Sequence, residues 1–174
     1  MPQNRTKAFL KQLYYNNYPV LLRYGVKLVG DRPLVKDVIQ SLFLRFFENN
    51  TDLTGHPAPD AYVVKSFRRA LLRNIQVLNL VDYTVPEKMG TGFIQYSHED
   101  LWIQEEETAH HKNKVLDILN SLSDRQREIV WLHYYEEKSY QEIAEILDIN
   151  YQSVLNNLQR AFRKIRSVYP DGIR

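Results

Sequence analysis

An all-helical fold of two small domains joined by a linker is predicted by three features of the sequence. Apolar residues recur mostly at three- and four-residue spacing, only 6 Gly and 7 Pro interrupt them, and no segment reads convincingly as a strand. The stretch from Val81 to His98 has weak periodicity and contains Pro86, Gly90 and Gly92, which is the composition of a connection. Residues 1–80 and 110–174 then form the domains, and 81–109 the linker between them.

In chain order, the spacing predicts a first helix from about Thr6 to Leu28, with Phe9, Leu13, Val20 or Leu21, Tyr24 and Leu28 inward. Gly30-Asp31-Arg32-Pro33 stops it, and Asp31 and Pro33 suit the opening of a second helix reaching about Glu48. Turn formers crowd Asn49 to Asp60, which reads as a loop before a third helix ending near Leu80. The acidic stretch from Glu99 reads as a helix continuing to Leu122. Ser123 with Gln126, and Ser139 with Glu142, have capping-box spacing and mark two further helix starts. After Asp148-Ile149-Asn150 a longer helix runs from about Tyr151 to Val168. A short helix, a three-residue turn and a longer basic helix form the helix-turn-helix layout.

Composition narrows the function. The 174 residues include no cysteine, which excludes disulfides, thiolate metal sites and cysteine nucleophiles. No run of 18 apolar residues and no signal peptide is visible, so a soluble cytoplasmic protein with no membrane insertion is expected. The 5 histidines have no ligand-like spacing; His110 and His111 point about 100° apart on a helix. Phosphate-cradling glycine loops and the nucleophile elbow are missing. No catalytic residue, metal or cofactor is expected, and the chain does not read as an enzyme.

Net charge is only +2, but the charges are segregated. Between Met1 and Gly30 the charged residues are Arg5, Lys7, Lys11, Arg23 and Lys27; between Ala61 and Val81 they are Lys65, Arg68, Arg69 and Arg73. Beyond Asn150, Arg160, Arg163, Lys164, Arg166 and Arg174 face one acid, Asp171. Glu99, Asp100 and Glu105 to Glu107 concentrate negative charge in between. Two basic lobes thus flank an acidic middle.

In the helix-turn-helix unit, Ile143, Leu147, Ile149, Val154 and Leu158 are placed to pack the helices, with small Ala144 at their crossing. Tyr151, Gln152, Ser153, Asn156 and Asn157 lie near the start of the second helix, where side chains reach base edges in a major groove. Arg160, Arg163 and Lys164, farther along, suit phosphates. A plain helical hairpin with a solvated polar face has the same pattern.

Leu122 to Arg166, LSDRQREIVWLHYYEEKSYQEIAEILDINYQSVLNNLQRAFRKIR, resembles region 4 of sigma-70-family transcription factors, especially the extracytoplasmic-function (ECF) group. The resemblance implies a domain that docks on the polymerase flap and reads the −35 element. Asp148 stands where the family usually has Gly, and Asp tolerates the left-handed conformation that such a turn needs. Leu155 stands where a basic residue is frequent, which implies modestly weaker phosphate contact.

The first 80 residues resemble region 2 of the same family. Gly30 to Asn49 is similar to its polymerase-clamp-binding helix, with Asp37, Val38, Gln40, Phe43, Leu44 and Phe47 at the matching positions. By periodicity Val38, Leu42 and Phe46 face inward, while Asp37, Gln40, Leu44 and Phe47 can face a partner; each aromatic also fits a buried face. On the third helix Lys65, Arg69 and Arg73 stack at i, i+4 and i+8, with Arg68 beside them. The resemblance assigns this helix and the loop before it to melting and capturing the −10 element. A solvated charged face fits the same stripe, and Tyr62 fits either a base-stacking or a core position. Relatives commonly carry Asn and Asp or Asn at the positions of Arg69 and Arg73.

The implied function is a monomeric initiation factor that directs core RNA polymerase to promoter DNA, with an anti-sigma factor as a further partner in many relatives. A flexible linker would leave the two domains unaligned until polymerase fixes their spacing. A stand-alone dimeric helix-turn-helix regulator is the alternative, with a palindromic operator as its signature; a helical enzyme is a distant third.

Overall fold

The computed structural model describes residues 2–81, 94–100 and 109–168, all helix, 3₁₀ turn or loop. The first lobe is built by α1 (Pro2–Val29), α2 (Arg32–Glu48) and α3 (Pro59–Val81), each packed on the other two. Asp31 caps α2, its carboxylate accepting from the Leu34 N–H at 2.9 Å, and Pro33 sits in the first turn, where an N–H has no intrahelical partner. Pro19 lies inside α1 and deletes one backbone donor there. Two residues earlier the buried Asn17 amide donates to the Leu13 carbonyl at 2.9 Å and to Asp60 Oδ1 at 2.6 Å, pinning α1 to the start of α3.

The core of this lobe contains Leu10, Leu21, Tyr24 and Leu28 from α1, Val35, Ile39 and Leu42 from α2, and Val63, Val64, Phe67 and Leu71 from α3. Phe9, expected inward, is half-buried, and Leu10 beside it takes the core position. Gly25 lets the three helices approach: a Cβ there would lie 2.7 Å from both Phe67 Cζ and Val35 Cγ1. Gly25→Ala should gain up to about 1 kcal/mol of helix propensity. Phe67 and Val35 are completely buried and cannot swing aside, so overpacking of about 1–3 kcal/mol dominates. A lower unfolding midpoint in a denaturant titration is the expected result.

The second lobe consists of α4 (Ala109–Ser121), α5 (Asp124–Tyr134), α6 (Tyr140–Leu147) and α7 (Tyr151–Val168). Both expected capping boxes are formed, at Ser123/Gln126 and Ser139/Glu142. Residues 94–100 differ from the open connection expected around them. Ile94 and Tyr96 are buried, the Tyr96 N–H donates to Asn120 Oδ1 at 2.8 Å, and the Asn120 amide returns a bond to the Tyr96 carbonyl at 3.0 Å. The Tyr96 hydroxyl donates to the Arg127 carbonyl at 3.1 Å, so this segment is part of the second lobe's core. His98–Asp100 forms a 3₁₀ turn rather than the start of the long helix expected from Glu99. The rest of the expected linker, 82–93 and 101–108, lies outside the described residues.

The lobes are not held apart. Helix α3 lies against α6, and one apolar cluster runs from α1 to α7. The expectation of unaligned domains is therefore corrected by ion pairs and apolar contacts that sequence spacing does not display.

Candidate nucleic-acid interface

The helix-turn-helix is set by local chemistry. The Ser139 hydroxyl accepts from the Glu142 N–H at 3.2 Å, and Glu142 Oε2 accepts from the Ser139 N–H at 2.9 Å. Burial works against the Glu142 carboxylate, but these Ser139 bonds and nearby Lys138 hold its pKa below the ordinary range. Helix α6 ends at Asp148, which adopts φ 58° and ψ 47°, the left-handed cap that needs Gly or a short polar residue. Its N–H donates to the Ala144 and Glu145 carbonyls. Asn150 then opens α7, with its Oδ1 accepting from the Ser153 N–H at 2.7 Å. Ile143, Leu147, Val154, Leu158 and Ala161 are buried between the helices.

This packing leaves the other face of α7 to solvent. Tyr151, Gln152, Asn156, Arg160, Arg163 and Lys164 are exposed, and Ser153 and Asn157 are half-buried. The Gln152 amide donates to Asn156 Oδ1 at 3.1 Å, so these two side chains lie together one turn apart. The Asn157 amide donates to the Ser153 carbonyl at 2.8 Å and faces its own helix. Lys164 donates to the Ser121 carbonyl, tying α7 to the end of α4. Arg160 and Arg163 have no ion pair among the described residues.

The cations of α3 have a different setting. Lys65 Nζ lies 2.9 Å from Asp148 Oδ1 and 3.1 Å from Glu145 Oε1, and Arg69 Nη2 lies 2.8 Å from Asp148 Oδ2. The hydrogen bond from Lys65, reinforced by Arg69, holds the Asp148 pKa below its usual value, and the bond to Asp148 raises that of Lys65. Arg68 makes two bonds to Glu128, at 2.7 and 3.0 Å, and the Tyr24 hydroxyl donates to the same carboxylate at 2.6 Å. Arg23 pairs with buried Glu136 at 2.6 Å. Arg73 is exposed and lines an open cavity of about 320 Å³ together with Arg45, Asn49, Tyr62 and Arg69. Tyr62 is half-buried there, with ring contacts to Phe46 and His56.

A second cavity, of about 330 Å³ and mostly apolar, lies between α1 and α2. Gln40, Phe43, Leu44 and Phe47 line it with Tyr14, Tyr15 and Lys11. Leu44 is 52% exposed and Phe47 half-buried, whereas Phe43 is buried edge-on against Tyr14 at 5.1 Å and forms the cavity floor. Asp37, one turn earlier, is exposed outside the lining. Val38, Leu42 and Phe46 are buried, as their spacing predicts.

The acids facing α3 and α1, namely Glu128, Glu136, Glu145 and Asp148, are absent from the sequence-derived site. The available signal was the acid-free basic stripe of α3, whose half-buried cations require partners from elsewhere in the chain. Among the described residues, no cluster of His, Asp or Glu could hold a metal, and no helix is long and apolar enough to cross a membrane.

Comparison with known proteins agrees with this geometry. Residues 112–165 match the family model for sigma-70, region 4. Over 164 residues, 91% of this chain and 88% of the relative, the sequence is 28% identical to the ECF RNA polymerase sigma factor SigL of Mycobacterium tuberculosis. It is 22% identical to the ECF RNA polymerase sigma factor SigM of Bacillus subtilis, covering 93% of this chain and 94% of that one. Among solved structures, the fold is shared with a co-crystal structure of the sigma factor RpoE and the anti-sigma factor NepR from Bartonella quintana. That match has a TM-score of 0.56 and 14% identity, and covers 94% of this chain and 96% of the other. Residues 112–165 thus match sigma-70 region 4, and along nearly its whole length the chain is similar to ECF sigma factors.

Proposed function

We propose that this protein directs core RNA polymerase to promoters, α7 reading the −35 element and α3 with its preceding loop capturing the −10 strand. The observation that carries the reading is the exposed polar start of α7 at the open end of a capped helix-turn-helix. Gln152 and Asn156 offer amides for base edges, while Arg160 and Arg163 offer exposed cations for phosphates. On α3, Lys65, Arg68, Arg69 and Arg73 serve the backbone of the melted strand, and the cavity beside Tyr62 and Arg73 suits an unstacked base. Nucleotidyl transfer remains with polymerase; the chain performs no chemistry and needs no cofactor.

The α1–α2 groove supports the polymerase contact, since exposed Leu44 and half-buried Phe47 form an apolar strip with polar Gln40 at its margin. In this reading the protein acts in the cytoplasm as a monomer, and an anti-sigma factor is a natural regulator.

The chain mixed with core polymerase should co-migrate as an equimolar complex in size-exclusion chromatography. Leu44→Asp, at an exposed position that leaves the core intact, should abolish it. A stable homodimer that ignores polymerase would instead support the stand-alone regulator.

A further inference from the structure

Gln152, Ser153, Asn156 and Asn157 crowd the start of α7, and their hydrogen bonds divide them. Ser153 lies in the cap, its N–H held by Asn150 Oδ1 at 2.7 Å, and the Asn157 amide is tied to the Ser153 carbonyl at 2.8 Å. Gln152 and Asn156 bond to each other, Gln152 Nε2 donating to Asn156 Oδ1 at 3.1 Å. Both are exposed, on the face turned away from buried Val154, Leu158 and Ala161. Residues four apart stand one above the other on a helix, with Cβ atoms about 5–6 Å apart. Gln, one methylene longer than Asn, reaches across that turn and brings the two amides together.

The bond decides what each amide can offer. An isolated Asn or Gln meets adenine bidentately, its NH2 donating to N7 and its oxygen accepting from the N6 amino group. Asn156 does not present that pattern alone, because its oxygen already accepts from Gln152. The Asn156 NH2, a donor, and Gln152 Oε1, an acceptor, have no hydrogen-bond partner among the described residues.

We propose that Gln152 and Asn156 read one adenine of the −35 element as a single unit: Asn156 donates to N7, Gln152 Oε1 accepts from the N6 amino group, and the bond between them fixes which amide does which. The inference deepens the sigma reading and rests on it for the DNA. Adenine is the base that satisfies both atoms. Guanine sets its O6, and thymine its O4, against Gln152 Oε1, acceptor against acceptor, and cytosine leaves the Asn156 NH2 without an acceptor. Gln152 therefore both touches the base and positions Asn156.

The test uses holoenzyme, this chain with core polymerase, selecting from a duplex library randomised through the promoter, so that base preference is read position by position. Wild type should prefer adenine at one −35 position by on the order of tenfold. Gln152→Ala, Asn156→Ala and the double variant should each lose that preference at the same position, and the double should lose no more than either single change, to within about twofold. Independent readers would instead affect one position each, with losses that multiply. In the selected site, 7-deazaadenine removes the N7 acceptor and purine removes the N6 amino group. Each analogue should weaken wild-type binding on the order of tenfold and weaken either alanine variant no further.

Asn156→Asp tests the donor and acceptor assignment. Its carboxylate still accepts from Gln152 Nε2, so the pair shows the groove acceptors only, and the same position should turn from adenine to cytosine, whose N4 amino group donates. The added negative charge weakens all templates alike and cancels in the ratio between bases. Both side chains are exposed, so none of these changes opens the core. Preferences lost at two separate positions, multiplying losses, an Asn156-dependent position that does not favour adenine, or adenine retained by Asn156→Asp would overturn the proposal. Failure of the wild type to select any −35 sequence refutes the sigma reading and this inference with it, whereas a selected element with two independent readers refutes the inference alone.

Discussion

Glu128→Ala is expected to destabilise the folded chain by about 3–5 kcal/mol, the usual cost of removing one member of a buried ion pair. The Glu128 side chain is only 7% exposed and accepts from both Tyr24 and Arg68. Its loss leaves the 18%-exposed Arg68 guanidinium without this anion and a fully buried phenol without its acceptor. Burial first, and then the Glu128 charge, holds the Tyr24 pKa well above its ordinary value, so the phenol remains a donor throughout the neutral range. Urea unfolding followed by circular dichroism checks the loss. The informative companion is the triple variant Tyr24→Phe, Arg68→Met, Glu128→Leu. Replacing these three groups with apolar side chains removes the buried charges of Arg68 and Glu128, and Arg125, 3.8 Å from Glu128 in the wild type, is 41% exposed and can turn to solvent, so stability should return close to wild type. A triple variant as unstable as Glu128→Ala would mean that the network contributes far more than its desolvation costs.

Asn156→Ala and Arg163→Ala are expected to weaken promoter recognition in different ways. Asn156 is exposed near the start of α7, where an amide can read an adenine edge. Its removal should lower discrimination at one base pair by about 1–3 kcal/mol, roughly 5- to 150-fold, while sparing other positions. Arg163 lies two turns farther along and is exposed without an ion pair among the described residues. Its removal should weaken all sequences alike and reduce the salt slope by about 1. Binding of the polymerase complex to promoters substituted singly through the −35 element, at several salt concentrations, separates the two. Equal loss on every template for Asn156→Ala would remove it from the base-reading set.

What the sequence made legible was mainly local. Ser139 and Glu142, Ser123 and Gln126, and Asp31 with Pro33 act within one helical turn, and their bonds form where spacing alone places them. The three-residue turn and the inward set of Val38, Leu42 and Phe46 follow for the same reason. Lobe docking was not legible, because Arg68–Glu128 and Arg23–Glu136 join residues 60 and 113 positions apart and carry no periodic signal. Tyr96 was hidden similarly: its surroundings look like a connection, and only Asn120, 24 residues later, gives its backbone a partner. The candidate site was half legible. The basic stripe is visible as a run of residues, but that Asp148 and Glu145 lie over it depends on how α6 crosses α3.

The central claim, promoter selection through polymerase, is tested most directly by transcription in vitro from a randomised promoter library with purified core enzyme. Adding this protein should yield transcripts from templates sharing two spaced sequence elements, and core enzyme alone should not. Transcripts indistinguishable from those of core enzyme alone would contradict the account.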